Sequence, residues 1–510
     1  MPILFLRDKP GGQKGEFMTE LQTSLKENRE EVERRIKDCD DILLRPMRIG
    51  RDSDLDSFLV YIETAVSNMM LEDSVIGKLL VRLKGMECQE IYEALRENSL
   101  GISDFAPLAT MEEAIAAVLA GNAVLFVDHY DQAFKVGSKG YPGAGVLKAE
   151  SEKVLRGSKE AFSESEKINT ALIRKRIRDT KLKVKETPLG KDTQTMTALV
   201  YLDGVVYPPI VEEVEKRLEQ ISRDGILDSG ILEQLTEKQW YSPFPQYQTT
   251  ERPDKAACAI LEGRVAVVVD NSPEALILPT TFNTLFQASD DDYRHFTVVT
   301  FFRLIRYLAA FLAVTLPGLY LAVTTFHTQI LPTNLILAMA DARKGVPFPG
   351  MVEILILELS FELMREAGLR MPGPIGNTIG IVGGLIIGQA AVSANLVSPI
   401  VVVIVALTAL GAFSIPYEEM ADAFQLLKYV FIFLGGWFGL LGILLGWMLL
   451  AIHLASLKSF GISYLSPFSS FELNQGRDGK DSLIRFPERM LQRRPIFARE
   501  DNRMRMGGKN

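Results

Sequence analysis

Two hydrophobic patterns divide the chain. Up to about residue 300, apolar residues come in short alternating runs bounded by Gly, Pro, Asn and Asp, with helically spaced stretches between them. Beyond it they come in long uncharged runs: "YLAAFLAVTLPGLYLAVTTF" (307–326), "IGNTIGIVGGLIIGQAAVSAN" (375–395), "LVSPIVVVIVALTALGAFSI" (396–415) and "YVFIFLGGWFGLLGILLGWMLLAIHLASL" (429–457). Each reaches the roughly 20 residues a helix needs to cross a hydrocarbon core about 30 Å thick. One stretch fits neither pattern. In "VEILILELSFELMREAGLRMPGP" (352–374), several Glu and Arg residues interrupt an apolar helix that Pro372 and Pro374 end. Glu358, Glu362 and Arg365 recur at i, i+4, i+7 and share one helix face. Such a helix either lies at the membrane interface with its charges among headgroups or lines a wet vestibule between subunits.

The first half contains an internal repeat. "LVYIETAV" (59–66) returns as "LVYLDGVV" (199–206), 140 residues on. "EEAIAAVLAGNAVLFVDHYDQAFKV" (112–136) returns as "DKAACAILEGRVAVVVDNSPEALIL" (254–278), 142 residues on, aligning Gly121 with Gly263 and Asp128 with Asp270. Each copy reads as strand, helices, then helix–Gly–strand–turn–strand, the last part a hairpin with Asp270 to Pro273 as its turn. "KETPLGKDTQTMT" (185–197) reads as a loop, and "YSPFPQYQTTERPDK" (241–255) as an ordered connector stiffened by its prolines. The fold class expected is an α/β soluble N-terminal region of two tandem related subdomains, followed by an all-α polytopic transmembrane domain. The boundaries are a polar N-terminal segment 1–37, subdomains 38–149 and 150–295, a helical membrane domain 296–460 and a basic cytoplasmic tail 461–510.

Composition supports a polar part joined to a membrane part: 47% of the 510 residues are hydrophobic, yet 24% are charged. Arg303 and Arg306 before the first run, and the Lys/Arg-rich tail, place both ends of the membrane half in the cytoplasm, so the number of crossings is even. "MPILFLRDKPGG" has neither a proper apolar core nor a cleavage site for a signal peptide. A net charge of −8 argues against a nucleic-acid binder. Cys39, Cys88 and Cys258, and the four histidines, lack metal-ligand spacing, and neither a P-loop nor a nucleophile elbow is present. No catalytic residue, cofactor or metal is expected, and Asp128 and Asp270 read as turn acids. The basic stretch Arg174–Arg178 is either a solvated face or a contact to headgroups or a partner.

The run 375–395 combines Gly376, Gly380, Gly383, Gly384 and Gly388 with amide and hydroxyl side chains. Glycines at such spacing let helices approach closely. Thr378, Val382, Leu385, Gln389 and Val392 fall on one row, and rings of apolar residues flanked by polar ones can close a pore by dewetting. Pore lining is the functional reading of that row, and ordinary helix packing is its rival.

"VLRGSKEAFSES…NTALIRKRIRD", "YSPFPQYQTTERPDK", "DDYRHFTVVTFFRLIRYLAAF", "REAGLRMPGPIGNTIGIVGGLIIGQAAVSANLVSP" and "GISYLSPF" resemble, in order from about residue 40 to 470, the A subunits of GerA-type spore germination receptors (the GerA/SpoVAF family). The resemblance implies a membrane subunit that oligomerises into a nutrient-gated cation channel in the inner membrane of dormant spores. It also implies work with a transporter-like B subunit and a C-subunit lipoprotein. A sister branch acts with the dipicolinate channel, and a non-conducting scaffold or a small-solute transporter are the other readings. A transporter would carry inverted repeats in its membrane half, where none is visible.

Overall fold

The computed structural model describes residues 19–50, 55–65, 81, 83, 85–97, 104–141, 148–149, 152–154, 156–369, 388–469 and 477–505. The first half holds two five-stranded antiparallel sheets with one topology, β1-β2-β4-β5-β3 and β6-β7-β9-β10-β8. The strands are β1 Ile42–Ile49, β2 Leu55–Ile62, β3 Phe105–Leu108, β4 Ala123–Val127 and β5 Ala133–Val136, then β6 Leu182–Leu189, β7 Thr195–Leu202, β8 Gln248–Thr250, β9 Val265–Val269 and β10 Ala275–Leu278. The stretch expected as a loop, 185–197, is mostly strand: β6 and β7 pair from Leu182↔Leu202 to Leu189↔Thr195, and only residues 190–194 turn, with Gly190 at positive φ. β6 is an edge strand, where a polar, proline-containing sequence is tolerated.

Both faces of each sheet are covered, so the central strands are apolar throughout. In β9, Val265, Val267 and Val269 enter one core while Ala266 and Val268 enter the other. Helices α1 Leu25–Arg35, α2 Cys88–Arg96 and α3 Met111–Leu119 cover the first sheet; α4 Glu166–Arg174, α5 Pro208–Glu219, α6 Ser229–Thr236 and α7 Pro253–Leu261 cover the second. The repeat extends to single hydrogen bonds. Gly121 and Gly263 close α3 and α7 at φ +89° and +94°. Asp128 accepts from the Leu25 N–H at the start of α1 (3.0 Å), and Asp270 from the Glu166 N–H at the start of α4 (3.1 Å). These turn acids therefore cap helices. Helix α1 lies before the expected boundary at residue 38 and buries Asn28 and Val32 in the first unit.

The units join where Val184 of β6 bonds the turn before β1: its N–H donates to the Asp38 carbonyl and its carbonyl accepts from the Asp40 N–H. Beside this, the basic stretch is absorbed internally: Arg174 is buried and grips Asp41 with two bonds of 2.7 Å, and Lys175 and Arg176 hold Glu160. Glu166 is buried at the same join, with no hydrogen-bond partner on either carboxylate oxygen among the described residues.

The second half is helical: α8 Phe296–Thr325, α9 Thr333–Ala342, α10 Gly350–Leu369, α11 Pro399–Phe413 and α12 Glu418–Ser456. Helices α8 and α12 are long and apolar enough to cross a membrane. The run 429–457, expected as one crossing, is instead part of a hairpin. Gly439 inside α12 has φ 62° and ψ −144°, a conformation open to glycine alone. A Cβ on Gly442 would lie 2.1 Å from the Leu434 carbonyl oxygen, whereas eight residues of straight helix span about 12 Å. Phe431 packs on Trp447 at 5.4 Å, so arms 418–438 and 440–456 lie side by side. Helix α8 crosses the first arm at Gly318 and Gly435, where a Cβ on either would lie within 2.3 Å of the other helix's backbone oxygen. The run 307–326 falls within α8 and 396–415 contains α11; of 375–395, only 388–395 lies among the described residues.

The tail is not free. Ile496 and Phe497 enter the second unit's core, Ala498 bridges Val206, and the Phe497 carbonyl accepts from the Tyr207 N–H. A Cβ on Gly263 would come within 2.9 Å of the tail backbone. Apolar residues within the basic segment direct this docking.

Two outcomes follow. With Cys39, Cys88 and Cys258 replaced by Ala, a membrane-impermeant maleimide should reach Phe438→Cys only from the side opposite to Asp501→Cys; labelling of both from one side would contradict the hairpin. Burial, with Glu186 and Asp270 nearby, pushes the Glu166 carboxyl up to about 8. The unfolded chain loses that proton in the usual carboxylate range. Between there and about pH 8 only the folded state keeps it, and stability falls as pH rises. Glu166→Gln should therefore raise the unfolding temperature near about pH 8 and change it little near about pH 4; an equal shift at both would refute this.

Candidate functional site

The charges of α10 form a seam through the helical half. Glu358, Glu362 and Arg365 fall along one side of the helix, facing the first hairpin arm, while Glu353, five residues before Glu358, points about 140° away toward α11. Glu353 is fully buried. It accepts from Arg343 Nη2 at 3.0 Å and from the Ser398 backbone N–H at 2.9 Å. Ser398 also caps α11 through its hydroxyl, which accepts from the Val401 N–H, so the Glu353 carboxylate sits at the positive end of that helix. About one and a half turns on, Glu358 meets Lys428 of the first hairpin arm at 2.6 Å, both buried. Glu358 Oε1 has no partner among the described residues. At the end nearest the soluble units, Arg365 binds Glu362 (2.7 Å) and Asp422 of the same arm (3.1 Å).

Exposure grades along the seam: the side chains of Glu353 and Glu358 are 0% and 1% exposed, those of Glu362 and Asp422 29% and 53%. The two inner carboxylates are dry and the near-end ones wet, while Arg343, which meets Glu353, is itself 33% exposed. Ile356, Leu359 and Leu363 of α10 are exposed. Over residues 353–365 the helix thus turns charge toward protein and apolar residues outward.

Of the proposed pore row, Thr378, Val382 and Leu385 lie outside the described residues. Gln389 is exposed, while Val392 is half-buried against the cluster of Tyr320, Leu321, Ile354 and Val401. Sequence reasoning missed the partners Arg343, Ser398, Asp422 and Lys428. Lys428 carries the one available signal, a lysine immediately before the longest apolar run. Among the described residues, no cluster of three or more His, Cys, Asp or Glu could hold a metal ion.

The near end of the helical half is locked to the soluble units. Asp291 binds Arg303 (3.1 Å) and Arg306 (2.8 Å) at the base of α8, and Asp481 of the tail binds Arg303 (2.7 Å). The connector 241–255 contributes Phe244, buried against Phe424, His453 and Tyr464. It ends in β8 and an Arg252–Asp254 pair of 2.7 Å. Tyr417, just before the first arm, accepts the Thr249 N–H of β8 at 2.6 Å. The two halves thus meet through packed side chains and ion pairs.

Residues 30–497 match the family described as Bacillus/Clostridium GerA spore germination protein. Similar chains include the uncharacterized membrane protein YfkQ of Bacillus subtilis (strain 168), 40% identical over 475 residues, which cover 93% of this chain and 91% of that one. Spore germination protein KA of the same strain is 35% identical over 487 residues, covering 96% and 89%. Spore germination protein GerLA of Bacillus cereus is 35% identical over 483, covering 94% and 96%. The crystal structure of the N-terminal domain of the A subunit of the Bacillus megaterium spore germinant receptor GerK3 aligns at 30% identity and a TM-score of 0.41, covering 52% of this chain and 98% of that chain.

Lys428→Met leaves Glu358 buried without a counter-charge and should cost about 3–5 kcal/mol in unfolding of the detergent-solubilised chain. Glu358→Leu combined with Lys428→Leu should recover most of that loss, since an apolar pair needs no desolvation of charge. A double variant no better than the single one would show that the two groups do not act as a pair.

Proposed function

As a member of the Bacillus/Clostridium GerA family of spore germination proteins, the chain is, we propose, the A-type membrane subunit of a germinant receptor. In this reading, copies of it assemble into a nutrient-gated cation channel together with a B subunit and a C-subunit lipoprotein. Its soluble units and tail face the cytoplasm, which in the dormant spore is the core.

The ionic seam carries this reading. A subunit that only holds partners together needs no ionised groups at membrane depth, where each is costly unless paired. Here Glu353, Glu358, Glu362 and Asp422 supply carboxylates, and Arg343, Lys428 and Arg365 pair with them. A small shift of α10 along the hairpin arm would separate Lys428 and Arg365 from their partners and leave a carboxylate-lined path that favours cations. Because the arm is anchored to the soluble units through Tyr417 and Phe424, and α8 through Arg303 and Arg306, such a shift is a two-position change of packed helices. The row Thr378, Val382, Leu385, Gln389 and Val392 is proposed as the constriction. The packing of Val392 within its own chain favours, at that one position, the rival reading of a helix-packing residue.

Cation flux through the purified chain in liposomes tests the channel. Monovalent cations should pass in preference to anions, and Glu362→Leu should lower that flux; absence of flux would leave the scaffold reading. Val392→Ala separates the roles of that residue. Spores that leak or germinate without nutrient at normal protein level support a gate, whereas loss of the protein without leak supports packing, as expected when a buried side chain is shortened.

A further inference from the structure

The connector that locks the soluble units to the hairpin also exposes two large aromatic side chains where burial would be expected. Trp240 is 79% exposed and Tyr241 62%, with their rings edge to face at 6.2 Å. Neither sits on a loose loop. On one side, Gln239 Oε1 accepts from the Lys458 N–H; on the other, the Ser242 hydroxyl bonds His453 Nε2 at 3.0 Å. Two residues further, Phe244 is 1% exposed. The aromatic pair is therefore held rigidly against the end of the second hairpin arm, with the Tyr241 ring 6.2 Å from His453.

The height of that position along the membrane normal can be read from α8. Thr325 ends α8 beside the hairpin turn, since a Cβ on Gly439 would contact Phe326 and His327. Twenty residues back, near Ile305, the helix has advanced about 30 Å, the thickness of the hydrocarbon core. Trp447 stacks on Phe311 at 5.1 Å and donates to the Thr315 hydroxyl at 3.1 Å, which ties the second arm to α8 in height. His453 lies six residues further along that arm, about 9 Å closer to the soluble units, and so level with residues 305–309. The same arm exposes Leu449 and Ile452 beside it. Exposed apolar residues of this arm and the exposed pair Trp240–Tyr241 thus lie at the same end of the helical half, on either side of His453.

We propose that Trp240 and Tyr241 insert into the headgroup boundary of the bilayer leaflet next to the soluble units. There they form an aromatic anchor, contributed by the soluble half, that fixes its height and tilt on the membrane. The occupant of this surface is lipid. Tryptophan and tyrosine suit that boundary because their rings are apolar on one side and donate a hydrogen bond on the other. The anchor also gives the connector a second purpose: it ties Phe244 to the hairpin inside the protein and to the leaflet outside it, so that helix movement is referred to a fixed plane.

The chain has three tryptophans. The full chain with Trp437→Phe and Trp447→Phe retains Trp240 as its sole tryptophan and can be placed in nanodiscs of ordinary phosphatidylcholine or of phosphatidylcholine brominated near the headgroup. Bromination should lower the Trp240 emission at least about twofold, as for a ring at the interface, and aqueous iodide should quench it weakly. Strong iodide quenching with no effect of bromination would overturn the proposal, and would leave the pair facing water or reserved for a partner protein. Should the loss of Trp447 weaken the fold, a nitroxide at Trp240→Cys, in a chain lacking Cys39, Cys88 and Cys258, provides the second measurement. Greater accessibility to dissolved oxygen than to a water-soluble nickel chelate supports the anchor, and the reverse order refutes it.

Discussion

A carboxyl group among apolar helices is costly unless a cation or hydrogen-bond donor meets it, and in the helical half Lys428 reaches Glu358 across 2.6 Å. Much else is arranged around this contact. It requires the first hairpin arm to lie along α10, which in turn sets Asp422 opposite Arg365 and leaves Leu359 and Leu363 outward. At the far end of α10, Glu353 is satisfied by Arg343 and by the N-terminus of α11. Three helices are therefore registered by charge where apolar packing alone specifies register weakly. Oε1 of Glu358 has no hydrogen-bond partner among the described residues.

Close backbone approach provides the complementary constraint. Helix α8 and the hairpin can share one bundle because Gly318, Gly435 and Gly442 carry no Cβ, and the hairpin can reverse because Gly439 adopts a conformation closed to other residues. At the soluble end, Asp291 gathers Arg303 and Arg306, and the aromatic cluster around Phe244 and Phe424 fills the space between the halves. The folded tail adds Asp481 to the same group, so one network joins α8, the segment just before it and the C-terminal tail.

Part of this is legible in the sequence. The tandem units are visible because Gly121 and Gly263 end equivalent helices at positive φ and Asp128 and Asp270 cap equivalent ones, so backbone geometry preserves both residue types at a fixed offset. Helix α1 is not legible, since "LKENREEVERR" buries only Asn28 and Val32 and carries almost no apolar stripe. The hairpin is hidden for another reason: "FLGGWFGLLGILLG" contains several glycines, and composition does not say which of them turns the chain. Of the seam, the charged face of α10 is plain from spacing alone. Its partner Lys428 lies 70 residues away, at the edge of an apolar run where a lysine usually reads as a flank facing headgroups. The docking of the tail through Ile496, Phe497 and Ala498 is likewise a long-range match that no local pattern announces.

The claim on which the rest stands is that α10 lies against the first hairpin arm within the membrane, charge to charge. The most direct measurement is proximity in intact membranes, with a short bismaleimide applied to a chain lacking its native cysteines and carrying Glu358→Cys with Lys428→Cys. The account predicts efficient cross-linking within one chain, and none when Leu363→Cys, on the outward face of α10, replaces Glu358→Cys. Equal cross-linking of both pairs, or of neither, would contradict it.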